Sequence, residues 1–186
     1  ILIGLVGSEM CIRDSYIDLP VVGIEPSCLL TFNDEYQTLK NVNNREQIKN
    51  KFYLLEEFIL EQIRNNNNIK ANKFDQNVLI HGHCHQKSQD RMKGLTNLLS
   101  ELNINNKMIE SSCCGMAGSF GYDSKTYEVS KKMANLSLIP AINNSDEKDF
   151  IVANGTSCRH QISDLSDKKG KHCLLYTSPS PRDQSG

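Results

Sequence analysis

The chain has 186 residues, with 21 Lys plus Arg against 22 Asp plus Glu, so its net charge is -1. That balance supplies no field to steer nucleic acid or an acidic membrane, and no apolar run approaches the roughly 20 residues of a membrane-spanning helix. Hydrophobic residues make up 38%, enough for a modest core, and the seven cysteines, odd in number and with no legible secretory signal followed by a plausible small-residue cleavage site, are expected to serve metal or redox chemistry in the cytosol rather than a disulfide scaffold.

The two ends read differently from the rest. LVGSEMCIRDS (5–15) and CLLYTSPSPRD (173–183) resemble translations of opposite strands of one DNA-sequencing adapter. Residues 1–15 and 173–186 are therefore set aside as probable artefact and are expected to make few core contacts. The interval 16–172 is read as a fragment of a larger natural chain.

Within that interval, Pro20–Ile24 is a short apolar run expected to form a buried strand, leading into Glu25-Pro26-Ser27-Cys28. Asp34–Leu39 is a short helix candidate. Glu46–Arg64 is a clearer one, with Phe52, Leu55, Ile59 and Ile63 on one face and a stop at the polar Asn65–Asn68. Asn77–His81 reads as a second strand, followed by Gly82-His83-Cys84-His85-Gln86 and a helix over 88–102. Lys107–Glu110 is a weaker strand. It enters a Cys113-Cys114-Gly115 loop that also holds Gly118 and Gly121, and a helix over 124–139 is expected to stop before Pro140. Phe150–Ala153 is the last strand, reaching Asn154-Gly155-Thr156-Ser157-Cys158 and a short helix.

One arrangement recurs: a strand ends, a Gly or Ser turn follows, a cysteine sits there and a helix begins. Strands alternating with helices imply an α/β fold with a parallel sheet. Loops after the strand carboxyl ends gather along one edge of such a sheet, where ligands bind. Cys28, Cys84, Cys113, Cys114 and Cys158 are thus expected to converge. Val21–Cys28 and Ile151–Cys158 also share a form, apolar-Val-small-x-x-x-Ser-Cys, which hints at two similar halves.

Thiolates are soft ligands for iron–sulfur clusters and zinc. Adjacent Cys113 and Cys114 suit a cluster of several irons better than one tetrahedral ion. Gly115, Gly118 and Gly121 would let backbone N–H groups approach such a cluster. His81, His83 and His85 alternate with Gly82 and Cys84. If the segment is extended, the three imidazoles share a face. Three chemistries fit these residues: a cluster, a structural zinc site on Cys84, Cys114, Cys158 and a histidine, or thiol–disulfide exchange at Cys113-Cys114.

The cysteine spacing and four words, EPSCLLTFNDEY (25–36), HGHCHQKS (81–88), CCGMAGSFGY (113–122) and ANGTSCRHQI (153–162), resemble the cysteine-rich CCG-domain family. That family includes one of the subunits of heterodisulfide reductase and the iron–sulfur subunits of glycolate oxidase type. The words are most similar to the C-terminal region of FAD-linked oxidases of the D-2-hydroxyglutarate or D-lactate dehydrogenase type. The resemblance implies one complete CCG repeat plus the end of a preceding one that contributes Cys28. It implies a cluster, of [4Fe-4S] type, on Cys28, Cys84, Cys113, Cys114 and Cys158, with His83 or His85 as a further ligand. It also implies FAD in a flavin domain elsewhere in the parent chain, and onward transfer of electrons to an acceptor. The fragment alone is not expected to be catalytic. A cytoplasmic location is expected, or a peripheral one at the inner membrane face, with no nucleic-acid partner. One departure stands out: Gly155 occupies the position three before Cys158, where the family's CxxC pattern has a cysteine.

Overall fold

A computed structural model describes residues 19–38, 51–65, 74 and 76–176. Its main sheet has four strands, all parallel, in the order β4-β3-β5-β6: β3 (Val78–His81), β4 (Asn106–Met108), β5 (Phe150–Ala153) and β6 (Gly170–Lys171). Central β3 and β5 are rich in β-branched residues and are apolar on both faces, as a parallel sheet covered by helices requires. Val78, Ile80 and Val152 pack on one side with Met92, Leu95 and Leu99 of α5 (Met92–Glu101). Ile151 and Ala153 face the other side. There they meet Ala134 of α6 (Tyr127–Asn135), Leu138, Ile139 and Ile142 of α7 (Leu138–Asn143), and Ile162 of α8 (Thr156–Leu165). The α/β class and its parallel strand–helix repeats are as the sequence pattern indicates.

A second, two-stranded parallel ribbon pairs β1 (Val21–Gly23) with β2 (Phe52–Leu54). Leu29 and Leu30 of α1 (Pro26–Leu30) pack on Phe52 and Leu54, and the Phe32 and Phe52 rings stack at 4.5 Å. A short α2 (Glu35–Thr38) follows α1, and α3 (Leu55–Asn65) follows β2. The helix α3 packs on α5, and α1 packs on α4 (Cys84–Ser88). The Arg91 guanidinium grips the Glu57 carboxylate and the Phe52 carbonyl, tying this layer to the α4–α5 turn.

Several expectations change. The strand at 20–24 forms over Val21–Gly23, but Val21 and Val22, which point to opposite faces of the ribbon, are both exposed among the described residues. The helix expected from Glu46 begins at Leu55. Phe52–Leu54 is drawn into pairing with β1, and Glu57 reaches back 3.0 Å to the Leu54 N–H in the manner of a capping box. Residues 46–50, and the turn at 66–68, lie outside the described residues. The helix α3 buries Glu56 and Leu60, while Leu55, Ile59 and Ile63 are only half-buried. The helix expected over 88–102 is α5 and starts at Met92, because α4 ends at Ser88 and Asp90 takes a left-handed φ of 52° between them. The helix over 124–139 divides. Pro140 sits in the first turn of α7, where its missing N–H leaves no intrahelical bond unmade. The two-residue strand β6 carries no sequence signal.

Cys173 is the first residue of the C-terminal segment read as adapter sequence. It starts a 3-10 turn (Cys173–Tyr176), and its side chain is buried with Val78, Ile80 and Val152. No helix among the described residues is long and apolar enough to cross a membrane.

Strand order positions the site. The connection after β3 leads to β4 on one side, and the connection after β5 leads to β6 on the other. The carboxyl ends of β3 and β5 therefore open a crevice at a topological switch point.

Candidate metal centre

Three loops meet at this crevice. His81 ends β3. His83 follows in an extended conformation as the N-cap of α4, with Cys84 as the first helical residue. The helix start breaks the extended alternation, so the three histidines do not share one face. Beyond β5, Gly155 caps α8, which carries Cys158 in its first turn. The third loop follows β4 and presents Cys113, Cys114 and Gly115. Gly115 has φ +87°, and a Cβ there would lie 2.3 Å from the Ser130 carbonyl oxygen, so the turn that aims both thiols requires glycine.

Ligand atoms of His81, Cys114 and Cys158 lie within 4.8 Å of one another, and all three residues are buried. The thiols form a hydrogen-bonded chain. Cys114 neighbours both Cys113 and Cys158 and can donate its single S–H to one of them at a time, and Cys84 can donate to Cys113. The two accepting sulfurs are held below the usual thiol range: Cys113 by Cys114, Cys84 and the Gly115 N–H, and Cys158 by Cys114 and His81. The two donors, Cys84 and Cys114, are pushed up for the complementary reason. The Gly115 N–H reaches Cys113 Sγ at 3.3 Å. Lys87 donates to the Ser111 carbonyl and, at 2.9 Å, to that of Ser112. Burial lowers its ammonium pKa while the four cysteines oppose that shift.

This donor set fits a soft metal or an iron–sulfur cluster: converging free thiols, two of them poised as thiolates, backbone N–H donation to sulfur and a neighbouring cation. His83 is buried, which pulls its pKa down, and its Nδ1 accepts the His85 N–H at 3.3 Å. His85 Nδ1 is buried with no hydrogen-bond partner. Cys28 is exposed on α1, and no described hydrogen bond involves its thiol. Its helix is nonetheless tied to the site. Half-burial pushes the Glu25 carboxyl up, but hydrogen bonds from the Thr156 N–H and hydroxyl and from Ser27 bring it below its usual range. Gly118 takes a positive φ in open space, and Gly121 lies against the Met116 side chain. Arg159 is committed to the Ala153 and Asn154 carbonyls, and His160 Nδ1 meets the Tyr122 hydroxyl at 3.0 Å.

Behind the crevice lies a polar group that the sequence reading did not single out. Glu56, 1% exposed, accepts at one oxygen from Gln86 Nε2 and Asn154 Nδ2, each at 2.8 Å. Gln86 is two residues beyond Cys84, and Asn154 directly precedes Gly155, so one carboxyl ties together two of the three site loops. The available signal was a glutamate four positions after Phe52 and three before Ile59, on the side of the helix read as apolar.

Residues 78–163 match the family model described as the cysteine-rich domain, CCG. The chain is 22% identical over 158 residues to a D-2-hydroxyglutarate dehydrogenase of Pseudomonas putida, covering 84% of this chain and 15% of that protein. It is 21% identical over 157 residues to one of the subunits of the anaerobic glycerol-3-phosphate dehydrogenase of Escherichia coli K12, covering 83% of this chain and 38% of that relative. A D-2-hydroxyglutarate dehydrogenase of Haemophilus influenzae is 22% identical over 178 residues, 16% of its length. The chain thus spans well under half of these relatives. No solved structure matches it.

Proposed function

We propose that the CCG cysteine-rich domain at residues 78–163 is the iron–sulfur electron-transfer module of an FAD-linked 2-hydroxyacid dehydrogenase, working in the cytoplasm or at its membrane face. The observation that carries this reading is the chain of four thiols and His81 at the switch point. The cysteine-rich domain and the dehydrogenase relatives support it.

Oxidation of a 2-hydroxyacid to a 2-oxoacid sends a hydride to the flavin, in a domain of the parent chain outside these residues. Its two electrons must then leave one at a time for a one-electron acceptor. A [4Fe-4S]-type cluster supplies reversible one-electron storage for that purpose. The residues present do the rest: Cys84, Cys113, Cys114 and Cys158 offer the thiolates, the Gly115 N–H donates to sulfur, and Lys87 offsets negative charge. The β3 and β5 ends keep Cys114 and Cys158 away from water.

Metal analysis tests the assignment. Iron with acid-labile sulfide and a brown chromophore supports it. Colourless zinc supports a structural site instead, a reading favoured by three donors that already lie within 4.8 Å of one another. In the parent enzyme, Cys113→Ser or Cys114→Ser should leave flavin bleaching by substrate intact in stopped flow and abolish transfer to the acceptor. Loss of bleaching with normal fold and flavin content would move these cysteines to the substrate site, and surviving turnover would make them structural.

A further inference from the structure

Gly155 leaves the site one thiol short, and the structure offers two imidazoles nearby. An ideal Cβ on Gly155 would lie 2.3 Å from His83 Cδ2, 3.1 Å from His83 Nε2 and 3.2 Å from Cys158 Sγ. A side chain at 155 would thus enter the site beside the Cys158 sulfur, into space that the His83 ring fills. The missing cysteine is matched by a histidine in its place, so the crevice is closed at that point.

Hydrogen bonding separates the roles of the two rings. The His83 Nδ1 accepts from a backbone amide, the His85 N–H, which can only donate. A neutral His83 therefore carries its proton on Nε2, and that nitrogen has no lone pair for a metal. His81 differs. Its Nδ1 lies 2.8 Å from the Ser111 hydroxyl, which is able to accept as well as donate, so Nδ1 can carry the proton and leave the Nε2 lone pair to a metal, an option the His85 amide denies to His83. His81 is 2% exposed and supplies the ring nitrogen of the three-donor set with Cys114 and Cys158. An outer hydrogen bond that fixes tautomer and ring orientation is the usual support of a ligating histidine.

We propose that His81 is a nitrogen ligand of the cluster, making its ligation mixed Cys/His, and that His83 acts beside it as an Nε2–H donor to sulfur. This rests on the iron–sulfur reading above. It differs from the expectation that His83 or His85 would ligate: His83 has the wrong tautomer, and His85 lies in α4 outside the three-donor set.

Pulsed electron paramagnetic resonance on the chain, reconstituted anaerobically with iron and sulfide and then reduced, tests the proposal. A nitrogen strongly coupled to the cluster is expected, changing to the 15N pattern when histidine is labelled with 15N. The coupling should vanish in His81→Cys, with iron and sulfide content retained and the midpoint potential lowered, because thiolate donates more charge than imidazole. His83→Ala should keep the coupling. If His81→Cys does not assemble, the labelled wild type compared with His83→Ala still decides the matter. A cluster without coupled nitrogen, or a coupling that survives His81→Cys or is lost in His83→Ala, overturns the assignment and leaves the iron–sulfur reading standing. A reconstituted wild type lacking iron and sulfide overturns that reading and this proposal together.

Discussion

Replacing Glu56 by glutamine isolates the effect of one buried proton. Burial pushes the Glu56 carboxyl up to about 6 from 4.5, reinforced by Glu57, against hydrogen bonds that favour ionisation, including those from Asn154 and Gln86. At about 1.4 kcal/mol per pH unit, ionised Glu56 costs the fold about 2 kcal/mol relative to the protonated form. The sign follows from proton counts. Between pH 4.5 and 6 the unfolded chain loses this proton while the folded chain keeps it, so stability falls as pH rises and is level again above 6. Glu56→Gln keeps an oxygen able to accept from both Gln86 and Asn154 and places an amide where the second oxygen lies 3.9 Å from the Cys173 thiol. The variant has no proton to lose. Urea unfolding at a series of pH values should therefore show the stability difference, Glu56→Gln minus wild type, growing by about 2 kcal/mol from pH 4 to pH 7, with the other carboxylates cancelling. A difference that stays constant across that range would refute a buried, pKa-shifted Glu56.

Two further substitutions probe the scaffold. Gly115→Ala should cost more than about 1–2 kcal/mol, the left-handed backbone penalty alone, because its Cβ also meets the Ser130 carbonyl oxygen. Lower urea midpoints and lower metal retention should appear together, since the same turn aims Cys113 and Cys114; a wild-type midpoint would show that the turn relaxes freely. Leu138→Ala empties a fully buried position among Ala134, Ile142 and Ile162, with an expected loss of about 2–5 kcal/mol in equilibrium unfolding. A loss below about 1 kcal/mol would mean that α7 collapses onto the sheet and that the packing there is not specific.

Strand–turn–cysteine–helix order was legible in the residues themselves, because each element has a period that local sequence carries. Val78–His81 and Phe150–Ala153 are apolar runs of strand length, and Cys84 and Cys158 follow their ends. Parallel pairing follows from the helices between them, and parallel pairing brings the cysteine loops to one edge. What local pattern does not encode is which groups at that edge touch. Phe52–Leu54 has helical spacing with Leu55 and Ile59, yet pairing with Val21–Gly23 makes it a strand. Cys28 has the same sequence form as Cys158, but its helix lies on the ribbon side and its thiol is exposed, whereas Cys158 is enclosed by the main core. Glu56 reads as a surface charge until Gln86 and Asn154, 30 and 98 positions away, supply its hydrogen bonds. The three histidines at 81, 83 and 85 are equivalent as letters. The His85 amide fixes one tautomer on His83, while Ser111 across the crevice leaves the other open to His81, and a tautomer is a property of hydrogen-bond partners that only the folded chain brings together.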